Sequence, residues 1–477
     1  MSNRTKIVAT LGPASCSAEM LHRLYAAGMR IVRLNGSHGD MDWHAQAIAL
    51  VHKELPHVPI LFDVPGRKIR TTLLAHERTF KEGDVIVLTN DLTHDGHVKV
   101  PISYGRLHED VAVGDVIFAD DGTLRFSVVA IEGGDIHCRA EAEGILKSRK
   151  GINVPNVSLK NDTISDRDRT LFEFVKKHEV DLVGINFVES KAHVEAVRAL
   201  IGADSPRVLA KVENAAALRN LDEIIEAADA VMIDRGDLAV ETSIEDLALS
   251  QKRILKVAQR YAKPVIVATE MLHTMITSPL PTKAEVADIS NAILDGAAAT
   301  MLSGETAVGR FPVQAVEVMA RVTQAVEKFS DAQDAATNMA RDDVSIPRAI
   351  GEVIGSLARI LPITKIVAIT ATGYAARAVS AQRPPQPIIA VTNDALTARS
   401  LNLLSGVQGY HAGVSFSRRS SDHIVECLKV LWEKGMIGDD DMILVTAVSY
   451  PNSGNRMNLL QTHIVRDLAE NQGWKKA

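Results

Sequence analysis

The chain has 477 residues and a formal net charge of −6, with 46% hydrophobic and 23% charged residues. This length exceeds what one hydrophobic core usually holds, so we expect several domains, and the composition is that of a folded protein rather than a disordered one. No apolar run approaches the ~20 residues that span a bilayer, and no basic run interleaved with aromatic residues indicates a nucleic-acid partner.

The cysteines and the first residues indicate a cytoplasmic protein. Cys16, Cys138 and Cys427 lie far apart, and none has the spacing of a metal-binding motif. Three cysteines cannot all pair, so a reducing compartment is the simplest interpretation. The N-terminus lacks the long apolar stretch of a signal peptide. We therefore expect no membrane association.

Short apolar runs rich in β-branched residues recur through the first two thirds of the chain, separated by amphipathic helical stretches. This alternation predicts a parallel sheet surrounded by helices, and eight strands are the number that closes a (βα)8 barrel. We therefore assign the chain to the α/β class, with a TIM barrel as its first domain. The runs are 6–10, 30–34, 59–63, 181–187, 207–212, 230–233, 264–269 and 300–303.

A segment between the third and fourth runs interrupts this pattern. It lacks long helical periodicity and alternates strand-like runs with turns that contain Gly and Asp. We expect residues 65–154 to form a β-rich lid domain above the barrel mouth, so that the barrel comprises 1–64 and 155–330. The strand-like runs include 84–88, 115–119 and 124–131.

The remainder of the chain predicts a third domain. Polar residues 331–345 are typical of a linker, and helices alternate with strands again over 346–477, which predicts a C-terminal α/β domain. The predicted elements are helices at 347–360, 374–382 and near 395–404, and strands at 365–370, 387–392 and 442–447.

Polar and charged residues follow most of the predicted barrel strands. Barrel enzymes keep their chemistry at the carboxyl ends of the strands, so these residues are candidates for an active site. Contact with water at the barrel mouth explains any one of these residues. It does not explain chemically reactive or charged groups at so many strand ends. They are Arg33, Asn35, Ser37, Asp63, Lys68, Arg70, Lys211, Glu213, Arg235, Asp237, Thr269, Ser303 and Glu305.

Six segments place these residues in unusual local sequences. In their order and spacing they resemble the pyruvate kinase family, and the match covers nearly the whole chain. A β-rich insertion after the third barrel strand is also typical of that family. The segments are 5–15 (TKIVATLGPAS), 32–39 (VRLNGSHG), 209–214 (LAKVEN), 234–241 (DRGDLAVE), 268–272 (ATEML) and 301–307 (MLSGETA).

The resemblance implies phosphoryl transfer from phosphoenolpyruvate to ADP, giving pyruvate and ATP. Phosphoryl transfer depends on positioning and on positive charge around the migrating group. Glu213 and Asp237 are hard oxygen donors that would hold Mg²⁺, with Mn²⁺ as an alternative. Lys211 would lie beside the phosphoryl group and stabilise the enolate, and Arg33 and Arg70 would face phosphate oxygens.

The segment around residue 236 is expected to receive the carboxylate of the substrate. Arg235, Gly236 and Asp237 precede a helical stretch, where backbone N–H groups bind anions, and Gly236 allows close approach. By resemblance Thr269 lies near the enolate carbon. With Ser303 and Glu305 it belongs to a candidate relay that protonates this carbon, and the sequence leaves the identity of the proton donor open.

The nucleotide is expected between the barrel and the lid, because the sequence contains no Walker-type glycine-rich loop. By resemblance, Pro13, Asn35, His38 and Arg70 line the nucleotide site on the barrel. Lys150 occupies the matching position in the lid.

The sequence also predicts independence from K⁺. Family members that require K⁺ hold it with the counterparts of Asn35, Ser37 and Asp63 and the carbonyl of Val64, and they carry a Glu nearby. Lys68 stands at the position of that Glu, so its ammonium group would replace the ion. The alternative is that Lys68 extends into solvent and Asp63 still holds K⁺.

A strand-to-helix loop in the C-terminal domain suggests regulation. Thr370, Thr372, Gly373 and Tyr374 bring hydroxyl and N–H groups to a helix N-terminus. In the family the matching loop receives a phosphorylated sugar, and a second loop, here 450–456, closes on it. We therefore expect a regulatory domain with a sugar-phosphate effector acting across a homotetramer. An ordinary strand-to-helix turn is the alternative.

Several residues depart from the usual pattern of the family, although no metal ligand, phosphate arginine or central lysine is lost. Asp234 adds a negative charge that either strengthens or disturbs cation binding. Two alternatives therefore stay open: a non-catalytic regulatory paralogue, and a Mg²⁺-dependent lyase of the phosphoenolpyruvate-utilising barrel group. The departures are Gly36, Asp234, Ala239, Glu270 and Lys283.

Overall fold

The structure is a computed structural model that describes residues 3–120, 122–155, 157, 159, 164–202, 206–333, 346–416, 420–448 and 457–475. The greater part of the predicted linker and the predicted second effector loop at 450–456 lie outside these residues. None of the helices in the described ranges carries an apolar stretch long enough to cross a membrane.

The chain begins with a repeating strand–helix unit. Each helix has a side-chain cap: Ser17 accepts a hydrogen bond from the N–H of Met20, and Asp40 accepts one from the N–H of Trp43. Gly28, at φ 129°, ends the first helix in a conformation that favours glycine. The elements are β1 (Lys6–Thr10), α1 (Ala18–Ala27), β2 (Met29–Asn35), α2 (Met41–Glu54) and β3 (Ile60–Val64).

Short, mostly antiparallel strands follow β3. They form a seven-stranded sheet and a two-stranded sheet around a separate core that includes Ile117 and Phe126. The predicted runs at 84–88, 115–119 and 124–131 correspond to three of these strands. The elements are β4 (Ile69–Arg70), β5 (Arg78–Phe80), β6 (Val85–Thr89), β7 (Lys99–Pro101), α3 (Leu107–Asp110), β8 (Val116–Ala119), β9 (Leu124–Glu132), β10 (Asp135–Ala140), β11 (Gly144–Leu146) and β12 (Gly151–Asn153).

The chain then returns to the barrel and closes it. Within the described residues the parallel strands form a closed ring in the order β1-β17-β16-β15-β14-β13-β3-β2, which confirms the predicted (βα)8 barrel. The elements are α4 (Asp166–Lys177), β13 (Leu182–Ile185), α5 (Lys191–Ile201), β14 (Arg207–Val212), α6 (Ala215–Arg219), α7 (Leu221–Ala227), β15 (Ala230–Asp234), α8 (Arg235–Glu241), α9 (Leu247–Arg260), β16 (Val265–Ala268), α10 (Lys283–Leu294), β17 (Ala299–Leu302), α11 (Gly304–Ala307) and α12 (Pro312–Gln333).

The C-terminal part forms a five-stranded sheet with the order β20-β19-β18-β21-β22. The edge strand β22 runs antiparallel to β21, and the other neighbours are parallel. Helices cover the sheet, as the sequence predicted. The elements are α13 (Ile346–Ile360), β18 (Lys365–Ile369), α14 (Tyr374–Ser380), β19 (Ile388–Thr392), α15 (Ala395–Ser400), β20 (Val407–His411), α16 (Asp422–Glu433), β21 (Met442–Ala447), β22 (Leu459–Ile464) and α17 (Val465–Asn471).

The C-terminal domain packs against the amino ends of the barrel strands, opposite the mouth. Leu403, in a short 3-10 turn after α15, joins the aliphatic layer inside the barrel and is 2% exposed. An ion pair also joins the C-terminal domain to the barrel: Nε of Arg399 donates to Oδ1 of the buried Asp181, just before β13, at 2.7 Å. The ammonium group of Lys6 also donates to the carbonyl of Val407 at 2.9 Å.

Candidate active site

The pleat of the barrel strands explains why charged groups collect at the mouth. Successive side chains of a strand point to opposite faces, so a residue two positions beyond an inward residue also points inward. Leu61, Leu209 and Met232 belong to the inner aliphatic layer of the barrel. Asp63, Lys211 and Asp234 follow two positions later on the same strands. The sequence therefore places these charged side chains directly above the aliphatic layer.

Lys211 is the central cation of the mouth and is only 3% exposed. Its Nζ lies 2.9 Å from Oδ2 of Asp234 and 3.1 Å from Oε2 of Glu213. Oδ2 of Asp63 is 3.8 Å away. Burial opposes the charged lysine, but the surrounding carboxylates outweigh it and hold the pKa of Lys211 well above its ordinary value. The lysine is therefore a fixed positive charge.

Glu213, Asp234 and Asp237 form a cluster of carboxylates with ligand oxygens within 4.8 Å of one another. Glu213 is fully buried, and its Oε1 accepts a hydrogen bond from the N–H of Phe187 at 2.5 Å. Its Oε2 receives no hydrogen bond from the described residues. Its cationic neighbour is the Lys211 ammonium group at 3.1 Å, which it shares with Asp234. A buried carboxylate oxygen that shares a single ammonium group with a second acid, with a third acid nearby, fits a hard divalent cation such as Mg²⁺.

Burial and charge divide these acids into two kinds. Burial, only partly offset by Lys211, raises the pKa of Glu213 to about 8. For Asp234, burial is outweighed by the neighbouring Lys211, which lowers its pKa to about 2. The sequence indicated that Asp234 adds a negative charge that affects cation binding, but it did not assign Asp234 as a member of the cluster. The position of Asp234 at the end of a barrel strand, directly before Arg235 and Asp237, was the feature of the sequence that indicated this membership.

Arg33 and Asp63, which the sequence assigned to different ligands, form an ion pair. Nε of Arg33 donates to Oδ2 of Asp63 at 3.1 Å, and its Nη2 donates to the same oxygen. Nη1 of Arg33 donates to Oγ1 of Thr10 at 3.1 Å. The pair lies across the adjacent ends of β2 and β3, since Arg33 pairs with Leu61 and Asn35 with Asp63 in the sheet.

The residues of the predicted K⁺ site lie together at these strand ends. Oδ1 of Asn35 accepts from the N–H of Ser37 at 3.0 Å, and Val64 is the last residue of β3. Lys68 reaches another part of the mouth, because its Nζ donates to Oδ1 of Asp237 at 2.6 Å. The positive charge of Lys68 therefore bears directly on the acid cluster.

The predicted nucleotide residues surround an electropositive region. Partial burial and the positive charges of Arg70, Arg33 and Arg167 lower the pKa of His38. Arg167, on α4, also donates to the carbonyl of Gly36 at 3.2 Å. Sequence reasoning missed Arg167, because it lies in an ordinary polar helix and carries no motif.

The remaining nucleotide candidates line the barrel mouth and the lid. Pro13 is exposed just beyond β1. Arg70 is on β4 of the lid, where its Nη1 donates to the carbonyl of Arg149 at 3.2 Å. Nζ of Lys150 lies 2.7 Å from Oδ1 of Asp120, also in the lid. Arg70 lies close enough to the barrel to affect His38 electrostatically, whereas the side chain of Lys150 pairs within the lid.

The predicted carboxylate-binding segment is held rigidly. Nη1 of Arg235 donates to Oδ2 of Asp288 at 2.6 Å, and its Nη2 donates to the carbonyl of Thr269 at 2.6 Å. The N–H of Gly236 donates to Oγ1 of Thr269 at 3.0 Å. Thr269 and Glu270 have φ values of 66° and 55°, a strained backbone for residues with side chains. Such strain is common at functional sites.

Glu305 ties two strand ends together. It is 2% exposed, its Oε2 accepts from the N–H of Ser303 at 2.8 Å, and its Oε1 accepts from the N–H of Leu272 at 3.1 Å. These bonds join the segments after β17 and β16. Both carboxylate oxygens accept hydrogen bonds from backbone N–H groups. This arrangement favours a structural contribution of Glu305 in addition to the predicted role in proton transfer.

The structure explains why a small residue stands at position 36, one of the departures from the family pattern. A Cβ atom on Gly36 would lie 2.9 Å from Cε1 of Phe62 and 3.0 Å from the carbonyl oxygen of Asp63. The ring of Phe62 therefore occupies the space beside this position. A bulky residue at position 36 would require Phe62 to move.

The predicted effector loop joins β18 to α14. Oγ1 of Thr370 accepts from the N–H of Gly373 at 3.0 Å, and Gly373 has a φ of 82°. Nη1 of Arg377 donates to the carbonyl of Thr372 at 3.2 Å. Tyr374 is the first residue of α14. The loop is compact, with the side chain of Thr372 exposed.

The fold and the mouth together define a class of protein. A closed barrel that gathers a buried lysine, a carboxylate cluster and arginines at its strand ends is an enzyme scaffold for a divalent cation and a phosphorylated anion. A family model described as the pyruvate kinase barrel domain matches residues 2–316, and a model of the pyruvate kinase alpha/beta domain matches residues 348–463. The chain belongs to the pyruvate kinase family.

Pyruvate kinases from several organisms are similar to this protein over nearly the whole chain. It is 37% identical to pyruvate kinase 2 of Synechocystis sp. over 98% of the chain and 80% of that protein. It is 36% identical to the pyruvate kinase of Thermococcus litoralis over 93% of the chain and 95% of that protein. The crystal structure of a pyruvate kinase from Cryptosporidium parvum superposes with a TM-score of 0.85 at 31% identity, covering 97% of this chain and 96% of that one.

The family assignment supports the main functional interpretation of the sequence. The chain is a phosphotransferase with the function of a pyruvate kinase, a glycolytic enzyme, and the predicted fold and function are confirmed. The same comparisons do not support the lyase alternative.

Proposed function

We propose that the mouth of the barrel carries out phosphoryl transfer from phosphoenolpyruvate to ADP, with Lys211 and the carboxylate cluster as its centre. The observation that supports this proposal is the cluster of Glu213, Asp234 and Asp237, whose oxygens lie within 4.8 Å of one another beside the buried ammonium group of Lys211. A coupled assay for pyruvate, with and without Mg²⁺, tests it directly. Absence of pyruvate formation at saturating substrates would favour the regulatory paralogue instead.

Glu213 and Asp237 are the residues that we propose for Mg²⁺, with Mn²⁺ as a substitute, and Asp234 lies close enough to support them. A divalent cation bound there supplies positive charge to substrate oxygens. Lys211 contributes a second, fixed positive charge at the place where negative charge develops on phosphoryl and enolate oxygens. Its carboxylate neighbours orient the ammonium group before the substrate arrives.

The arginines and the strained segment are proposed to bind the substrates. Arg33 and Arg70 provide guanidinium groups for phosphate oxygens, with Arg33 already oriented by Asp63. The segment of Arg235 and Gly236 receives the carboxylate of phosphoenolpyruvate at the start of α8, and the Thr269 hydroxyl lies against it. Ser303 remains a candidate for the proton relay. The nucleotide contacts are assigned to Pro13, Asn35, His38, Arg70 and Lys150.

Activity is expected to be independent of K⁺. Lys68 places a positive charge in the mouth, where Asp237 accepts its hydrogen bond at 2.6 Å. This ammonium group supplies positive charge toward the substrate phosphate in place of the ion, so that bound K⁺ is not needed. Turnover measured in a bulky organic cation should therefore not rise when K⁺ is added, whereas Lys68→Glu should become responsive to K⁺.

The matched control for this measurement is Lys81→Glu, which changes the charge of an exposed lid residue by the same amount. It should stay independent of K⁺. Strong activation of the wild-type enzyme by K⁺ would show instead that Asn35, Ser37, Asp63 and Val64 still hold the ion.

Regulation by a sugar phosphate is proposed for the loop of Thr370, Thr372, Gly373 and Tyr374. Its hydroxyl groups and the turn at Gly373 are suited to phosphate oxygens. We expect a phosphorylated sugar to lower the phosphoenolpyruvate concentration needed for half-maximal rate, and Thr372→Asp to abolish the response by charge repulsion. A panel of sugar phosphates that changes neither apparent affinity nor cooperativity would refute the proposal.

A homotetramer is the proposed assembly, and the cytoplasm is the proposed location. The barrel domain exposes Ile244, Leu249 and Leu280 by 70%, 64% and 69%. Large apolar side chains exposed to water are suited to contact with a second copy of the chain. Light scattering on the purified protein gives the number of subunits.

A further inference from the structure

Asn153 is the last residue of lid strand β12 and lies on one of the two chain segments that join the lid to the barrel. Although it belongs to the lid, its side chain reaches barrel helix α8. Its Nδ2 donates to Oε1 of Glu241 at 2.8 Å and approaches Oδ1 of Asp237 at 3.4 Å. Asn153 is only 3% exposed, so water does not compete for these contacts.

The spacing of Asp237 and Glu241 explains why an amide is suited to this position. Residues four apart lie on one face of a helix, and two carboxylates in that arrangement repel each other. An asparagine NH₂ group provides two donors without adding charge, so it bridges both acids. Oδ1 of Asn153, on the other side of the amide, receives no hydrogen bond from the described residues. Contacts with the two acids therefore set the orientation of the amide.

The lid approaches α8 closely at one further point, because a Cβ atom on Gly122 would lie 2.9 Å from Cγ2 of Val240. Within the lid, Gly151 leaves room for the side chain of Lys68, since a Cβ atom there would lie 2.8 Å from Cε of Lys68. Lys68 itself donates to the same oxygen of Asp237 that faces Asn153. The orientation of the Asp237 carboxylate is consequently determined from the lid side by two donors, one charged and one neutral.

We propose that Asn153 and Glu241 are a positioning pair that holds β12 of the lid against α8 and fixes Asp237 for the divalent cation. The pair goes beyond the proposed function and rests on it in one respect, the assignment of Asp237 as a metal ligand. Partners that orient a metal ligand typically contribute about 10- to 100-fold to metal affinity. Since linkage is reciprocal, metal binding also strengthens the contact between the lid and α8.

Direct binding of Mn²⁺ to the full-length protein, followed by the electron paramagnetic resonance signal of the free ion, tests the pair without recourse to activity. Asn153→Ala and Glu241→Ala should each weaken Mn²⁺ binding by about tenfold. Glu241→Gln should stay close to wild type, because its amide oxygen accepts the same hydrogen bond from Asn153. Asn90→Ala, an exposed lid variant whose side chain bonds only within the lid to the carbonyl of Gly105, is the matched control.

Hydrogen exchange of the β12 amides provides the second measurement. Mn²⁺ should slow exchange at β12 in the wild-type protein and in Asn90→Ala, but not in Asn153→Ala. Melting temperatures identify any variant that fails to fold, and the alanine variant of the other residue of the pair is then compared with Glu241→Gln. Mn²⁺ binding that depends on Glu213 yet ignores Asn153→Ala and Glu241→Ala would overturn the positioning pair alone. Binding unaffected by Glu213→Gln would overturn the metal site and the pair with it.

Discussion

Replacement of Lys211 by methionine is expected to lower turnover by roughly three powers of ten while phosphoenolpyruvate still binds. The lysine is the buried cation at the centre of the mouth, and its Nζ lies within 3.1 Å of both Asp234 and Glu213. Methionine has a similar length but no charge, so it removes electrostatic stabilisation where negative charge develops. Steady-state rates, together with binding of phosphoenolpyruvate by calorimetry, separate the loss of turnover from any loss of affinity.

The same substitution removes the counter-charge of several buried acids. Uncompensated buried charges cost about 3–5 kcal/mol, so the single variant is also expected to be less stable. The double variant Lys211→Met/Asp234→Asn removes one lysine and one of its acids together and should recover much of this stability. Its turnover should stay low. A Lys211→Met enzyme with near wild-type turnover would show that this lysine does not stabilise the transition state.

Replacement of Glu213 by glutamine is expected to weaken divalent-metal binding by at least about a hundredfold, because a charged oxygen donor is lost from a buried site. Asp237→Asn should act in the same direction. The wild-type protein should also bind metal more tightly as pH rises, since burial raises the pKa of Glu213 to about 8 and the proton competes with the cation below that value. Affinity should rise by up to about tenfold per pH unit until about pH 8 and then level off.

Calorimetric titration of Mg²⁺ over this pH range, with Glu213→Gln beside the wild type, provides the measurement. The variant should show weak binding with little dependence on pH. Glu245→Gln, an exposed acid elsewhere on the barrel, should behave as wild type. Equal metal affinity in wild type and Glu213→Gln would place the metal elsewhere.

The architecture of the barrel followed from the sequence because its strands are short, buried and β-branched. Runs such as 6–10 and 207–212 coincide with β1 and β14 to the residue. Strands without that signal were not anticipated: β20 is the mixed sequence VQGYH, and β22 is LLQTHI with three exposed positions. Such edge strands are stabilised by pairing with their neighbours rather than by their own composition.

The candidate site was predictable as a set of residues but not as a set of contacts. Periodicity and strand ends indicate that Arg33, Asp63 and Lys211 share the mouth, because each follows an inward position of a strand. The sequence does not indicate which charges pair, since the Arg33–Asp63 pair joins separate strands and Lys68 reaches Asp237 across 169 positions of sequence. Pairing depends on the closure of the barrel and on the position of the lid.

The aliphatic side chain of Leu403 makes the chain less modular than its succession of domains suggests. Because Leu403 completes the inner layer of the barrel from outside it, a fragment that ends after α12 would leave aliphatic groups at the strand starts open to water. Leu403 also follows shortly after β19 in the chain. Strand β19 pairs directly with β18, and β18 leads into the Thr370 loop. We therefore expect a displacement of this loop to affect the interior of the barrel itself, not merely a surface that touches it.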